Sequence, residues 1–122
     1  MRVILVNPFD ETVKEAVYGG DYREIYDLIG CRTFTVQMID EDNDLFLDDE
    51  GLLYVDNTNE GPQKYFEYKG LGTFAGKGLI MSHDDEGDSK ATTLDLMEVS
   101  SLIEFMPEGY KQEPYMEFSI LS

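Results

Sequence analysis

Tryptophan is missing from this chain, and cysteine and histidine occur once each, as Cys31 and His83. One cysteine excludes an intramolecular disulfide framework. Its position between Gly30 and an expected strand marks it as a buried structural thiol. One histidine beside carboxylates matches no metal-ligand spacing, so no metal or cofactor is expected. Positive charge is scarce as well. Nine Lys and Arg stand against 26 Asp and Glu, a net charge of −17, and no basic residue occurs from Thr33 to Gln63. A surface of that sign repels nucleic acid and acidic membranes and attracts basic surfaces. Direct nucleic-acid binding is therefore not expected. Long apolar runs are absent too, and none approaches the roughly 20 residues of a membrane span. The opening residues reach Pro8 without the apolar core and small-residue cleavage site of a secretory leader. The cytoplasm is thus the expected compartment. No repeat, low-complexity tract or Gly-x-Ser-x-Gly elbow appears, and no catalytic residue stands out.

What the chain does contain is enough for a core. Its 122 residues fit one domain, 1–122. A 42% hydrophobic content with 8 Tyr and 7 Phe argues against disorder. Val3 to Val6 is apolar at every position, the pattern of a strand buried on both faces. Thr12 to Tyr18 alternates weakly and is expected to return as its hairpin partner. Asp21-Tyr-Arg-Glu24 has the form of a capping box. Tyr22, Ile25, Tyr26 and Ile29 follow at helical spacing, and Gly30 supplies a left-handed stop. Arg32 to Ile39, Leu45 to Leu47 and Leu52 to Val55 read as an antiparallel meander broken by acidic turns. Lys64 to Tyr68 suits an edge strand. Thr92 with Asp95 resembles a second cap, and Leu96, Val99, Leu102, Ile103 and Met106 form a helical stripe ending at Pro107. Tyr115 to Leu121 alternates as a terminal strand.

Two stretches invite a chemical reading. Between Asp40 and Glu50 lie seven acids and no base. Asp40, Asp42 and Asp44 occupy the first, third and fifth places of an EF-hand frame. Leu45 then stands where the turn glycine is required, and Gly51 where the bidentate glutamate is required. An EF-hand is excluded, and a solvated acidic turn is expected. The second stretch, Gly70 to Ser89, holds five of the eleven glycines, the histidine and the acids Asp84, Asp85, Glu86 and Asp88. Gly72 to Gly76-Lys77 is one residue too short for a Walker loop, and Gly78 replaces its Ser or Thr. A dinucleotide fingerprint fails because Leu79-Ile-Met81 is strand-like. The expected role of these glycines is a sharp bend or a close backbone approach, with Gly76 or Gly78 at positive φ. His83 reads as a turn residue.

Val3-Ile-Leu-Val-Asn-Pro8, Leu28-Ile-Gly30, Asp49-Glu-Gly-Leu-Leu53 and Phe74-Ala-Gly-Lys-Gly-Leu-Ile80 with Asp84-Asp-Glu-Gly87 together carry a resemblance. The chain resembles a family of small phage and mobile-element proteins catalogued as a domain of unknown function, DUF3846. The resemblance covers roughly residues 2 to 106 and brings no catalytic residues. It implies a mobile-element setting, in which small acidic proteins act on host machinery by binding.

The expected fold is α+β: a small antiparallel or mixed sheet with two short helices on one face. Two functional classes stay open. One is a non-enzymatic acidic binding protein that imitates nucleic acid toward a partner with a basic surface, using Asp40, Asp42, Asp44, Asp48, Asp49, Glu50, Asp84, Asp85 and Glu86. Its charge would serve only if the two acidic turns fold to the same end of the sheet. The other is a small-ligand or metal-ion binder, or an enzyme, built on Gly72, Gly76, Lys77, Gly78 and His83.

Overall fold

The computed structural model describes residues 1–31, 33–48 and 64–107. The strands expected at 52–55 and 115–121 and the loop at 56–62 lie outside these residues. In chain order the elements are β1 (Arg2–Asn7), β2 (Thr12–Val17), α1 (Arg23–Ile29), β3 (Phe34–Met38), β4 (Asn43–Asp48), β5 (Tyr65–Tyr68), β6 (Gly72–Ala75), β7 (Gly78–His83), β8 (Ser89–Lys90), α2 (Leu96–Leu102) and β9 (Ile103–Phe105).

The α+β class holds, and every pairing among these strands is antiparallel. The main sheet runs β2-β1-β7-β4-β3, with the short β8 continuing beside β7 past the end of its pairing with β1. A second sheet runs β6-β5-β9.

The helices do not share a face. On one side of the main sheet, Val3 and Leu5 of β1 and Leu79 and Met81 of β7 pack with Ile25 and Ile29 of α1. On the other side, Ile4, Val6 and Ile80 pack with Phe66 and Tyr68 of β5 and Val99 of α2. The physical reason lies in β1 and β7 themselves. Both are apolar at successive positions, so each exposes hydrophobic side chains on both faces and needs cover on both. The result is three layers: α1, the main sheet, and the second sheet with α2.

Other local expectations shift for related reasons. β5 is the centre of its sheet, not an edge, and Tyr65, Phe66 and Tyr68 are all buried. Its aromatics are core. The second helix stops at Leu102, because Ile103 turns extended (φ −94°, ψ 133°) and pairs with Tyr68. Ladder formation there overrides the helical spacing of Ile103 and Met106. The cap of α2 is Asp95, whose carboxylate accepts the Glu98 N–H at 3.3 Å. The capping box at Asp21 is rearranged: Asp21 accepts the Arg23 N–H at 3.0 Å, and Glu24 reaches back to the Gly19 N–H at 3.1 Å. Gly30 is left-handed (φ 67°) and ends α1 as expected.

The bend between β6 and β7 carries the chain from one sheet into the other. Gly76 sits there at φ 82° with open space around it, and its N–H donates to the Lys64 carbonyl at 2.8 Å. Gly78 is needed for a different reason. A Cβ there would lie 2.8 Å from Leu45 Cδ1 and 2.9 Å from Phe66 Cζ, side chains that are fully buried between the two sheets. It approaches side chains, not a backbone. Gly76→Ala is therefore expected to cost about 1–2 kcal/mol through backbone strain alone. Gly78→Ala should cost about 1–3 kcal/mol through overpacking. Chemical denaturation separates the two mechanisms: adding Leu45→Val should recover part of the Gly78→Ala loss and none of the Gly76→Ala loss.

Candidate functional site

Pairing of β4 with β7 decides where the charge goes. Asn43 stands opposite Ser82 and Leu47 opposite Gly78, so β4 begins where β7 ends. The turn before β4, with Asp40, Glu41 and Asp42, and the turn after β7, with Asp84, Asp85, Glu86 and Asp88, consequently meet at one end of the main sheet. Asp44 joins them from the second position of β4.

Both turns are built alike. The Asp40 side chain folds inward, and its Oδ1 accepts the N–H groups of Asp42 (2.8 Å) and Asn43 (2.7 Å). Asp84 does the same for Glu86 and Asp88, each at 2.9 Å, with Gly87 supplying a positive φ of 87°. Burial disfavours the charge on Asp40, but the hydrogen bonds from Asp42 and Asn43 outweigh it. They hold its carboxyl below the usual carboxylate range. The remaining acids do not shape the turns. Glu41, Asp42, Asp85, Glu86 and Asp88 are exposed and make no side-chain hydrogen bond among the described residues.

The two turns are tied to each other. The Asp42 carbonyl accepts from Ser82 Oγ at 2.5 Å and from the His83 N–H at 3.2 Å. His83 Nδ1 lies 2.8 Å from Asp44 Oδ2. The carboxylate only accepts, so Nδ1 carries the proton in this contact. His83 is thus a clasp at the end of β7.

Beneath both turns lies Asn43, 1% exposed. Its carboxamide oxygen accepts from Thr92 Oγ1 at 2.7 Å and from the Thr93 N–H at 3.3 Å. Its nitrogen donates to Thr93 Oγ1 at 2.8 Å and to Asp40 Oδ1 at 3.2 Å. The segment leading into α2 is thereby fastened to the first acidic turn. It is fastened to β1 as well, where the Thr92 N–H meets the Arg2 carbonyl at 3.0 Å.

Not every expected residue arrives at this end. Asp48 closes β4 at the opposite end of the strand, roughly 17 Å from Asn43 at about 3.4 Å per residue. Its charge, after burial, helps push the Cys31 thiol up to about 11. Cys31 is accordingly an inert buried thiol. Asp49 and Glu50 lie outside the described residues. Nor are the residues of the alternative site assembled. Gly76, Lys77 and Gly78 stand at the start of β7 and His83 at its end, again roughly 17 Å apart, while Gly72 belongs to the β5–β6 hairpin of the second sheet. Among the described residues, no group of three or more His, Cys, Asp or Glu side chains is disposed to hold a metal ion, and no helix is long and apolar enough to cross a membrane.

The sequence pattern gives no role to Asn43, Tyr68 or Glu98, and marks Thr92 only as part of a helix cap. Asn43 left one signal: it shares a strand face with Leu45 and Leu47, where a polar residue implies a buried polar contact. Tyr68, Glu98 and Asp40 line a cleft of about 350 Å³ beside the acidic end, walled by Ile39, Leu94, Val99 and Leu102.

A family model described as a domain of unknown function, DUF3846, matches residues 1–105. The chain belongs to the DUF3846 family. The match reaches to the end of β9, so the family's model covers both sheets, both helices and both acidic turns. Neither a search of curated proteins nor one of solved structures finds a significant match.

Asp40 yields a pH prediction. Its carboxyl titrates lower in the folded state than in the unfolded chain. The stability it contributes is complete above the ordinary value of about 3.8 and is lost as pH falls through the lowered folded value. Asp40→Asn keeps an acceptor oxygen but no titrating charge. In urea denaturation, wild type should be the more stable at neutral pH, and the difference should shrink toward zero with acidification below about pH 4. Parallel stability curves would contradict this role for Asp40.

Proposed function

We propose that the protein is a non-enzymatic acidic binding protein of a phage or mobile element. Its partner is a cytoplasmic host protein that presents a basic, nucleic-acid-binding surface, which it inhibits by charge mimicry. The observation that carries this reading is the meeting of two four-acid stretches, Asp40 to Asp44 and Asp84 to Asp88, at one end of a rigid sheet. Duplex DNA carries one charge per about 1.7 Å of axis, so eight carboxylates match the charge of roughly 14 Å of duplex. Arg2, on the neighbouring β1, does not offset them, because it is engaged by Glu15 at 2.5 Å and by the Thr92 carbonyl at 3.1 Å. The five outward acids are presented on turns whose shape rests on Asp40 and Asp84. Presentation and charge are thus divided between different residues. Nothing comparable favours the small-ligand reading, whose glycines and histidine are separated by the length of β7.

The division of labour makes a clean variant available. Asp42→Asn, Asp85→Asn, Glu86→Gln and Asp88→Asn together remove charge without touching the turn-forming carboxylates. Each is an exposed change expected to move stability by no more than about 0.5 kcal/mol. Host proteins captured by the wild type at roughly 0.1 M salt should be rich in basic nucleic-acid-binding proteins. They should be released toward 1 M salt, where the Debye length falls from about 10 Å to about 3 Å. The fourfold variant should fail to retain them. Retention that ignores both salt and the four substitutions would refute the reading.

A further inference from the structure

We propose that the cleft beside the acidic end receives one arginine or lysine side chain of the partner protein. This rests on the binding function proposed above and names the group that is gripped. The cleft's volume of about 350 Å³ is at the lower end for small-ligand sites. Its walls are mostly apolar, from Ile39, Leu94, Val99 and Leu102, with Ser101 among them. Its charged groups are the carboxylates of Asp40 and Glu98, and no lysine or arginine lines it. An anion is excluded by that lining, and a plain hydrocarbon would leave two carboxylates without a counter-charge. A cation at the end of a methylene stem satisfies both halves: the stem covers the apolar wall and the head meets the carboxylates.

Tyr68 supplies an independent pointer. It is 4% exposed and lines the cleft. Its hydroxyl is not one of the fully buried polar atoms left unpaired, so it faces the cleft without a protein hydrogen bond among the described residues. Burial, with the charges of Asp40 and Glu98 adding to it, keeps this phenol neutral. Its oxygen is therefore an acceptor waiting within the field of the two carboxylates, where a guanidinium or ammonium N–H would be placed. Asp40 has capacity to spare: Oδ1 takes three donors, whereas Oδ2 receives only a long 3.4 Å contact from Asn43. Since Asp40 also belongs to the first acidic turn, the cleft opens at the foot of the charged surface. The turns would attract a basic partner, and the cleft would fix one of its side chains.

The test is an amide NMR titration of the full chain with Nα-acetyl-arginine amide, against Nα-acetyl-citrulline amide, its neutral isostere. Saturable shifts are expected at Tyr68, Leu94, Val99 and Leu102 with the arginine compound and none with citrulline. Glu98→Gln and isosteric Tyr68→Phe should each weaken binding by about three- to tenfold, with the remaining spectrum unchanged. Equal binding of the citrulline compound would overturn the proposal. So would shifts confined to residues 40–44 and 84–88 with affinity indifferent to Glu98→Gln and Tyr68→Phe, a result that leaves the acidic-surface reading standing. Binding of n-butylguanidinium without the arginine amide would overturn it in favour of a free small cation. The fourfold turn variant separates the two readings from the other side. It should hold the arginine amide within about twofold of wild type even where it no longer captures basic proteins.

Discussion

A single buried carboxamide, that of Asn43, holds together two segments far apart in the chain, the first acidic turn and the stretch before α2. It receives from Thr92 and Thr93, donates to Thr93 and Asp40, and sits on the strand face that Leu45 and Leu47 bury. A polar group in that position is costly unless its hydrogen bonds are made, on the order of 1–3 kcal/mol for each group left unpaired. That asymmetry makes the arrangement specific. Once β4 is buried against β7 and the second sheet, the acidic turn and the segment before α2 have one low-cost way to sit. The polarity of Asn43 thus sets the geometry of the charged end, although Asn43 itself carries no charge.

The layers above and below follow from a second constraint. β1 and β7 are apolar on both faces, so neither α1 nor the second sheet alone could cover them. The chain passes between layers at Gly76 and Gly78, one permitting the backbone turn and the other leaving room for Leu45 and Phe66. The high density of acid at one end is a consequence of topology acting on a sequence whose acids lie in two separate stretches.

Much of this was legible in the residues. The all-apolar run of β1, its hairpin with β2, the helix stopped by Gly30 and the strands flanking the first acidic turn follow from local pattern, and local pattern is where propensity and tertiary structure agree. The errors lie where non-local contacts win. Ile103 continues a helical stripe in sequence, yet it becomes strand because β5 offers it a ladder. β5 reads as an edge because its charged residues alternate with aromatics, yet it is central because β9 arrives from far along the chain to pair on the side opposite its hairpin partner β6. The placement of both helices on one face failed because period alone does not say which face of a doubly apolar strand each helix covers. The meeting of the two acidic turns depends on β4 pairing with β7, a contact between residues such as Asn43 and Ser82 that local pattern does not encode. Tyr68 and Glu98 become neighbours through another non-local contact, the pairing of β5 with β9 that sets Tyr68 opposite Ile103 at the end of α2.

Electrostatic recognition by such a surface needs charges held in fixed relative positions, since mobile side chains at separate sites would give attraction without register. Presentation of the charged end therefore depends on Asn43 coupling the turn to the segment before α2. The most direct measurement is a double-mutant cycle in urea denaturation with Asn43→Ala and Thr92→Val. The two residues are predicted to be coupled by about 1–3 kcal/mol, so that the double variant loses much less than the two single losses combined. Additive losses, agreeing within about 0.5 kcal/mol, would contradict the claim that this carboxamide organises the acidic end.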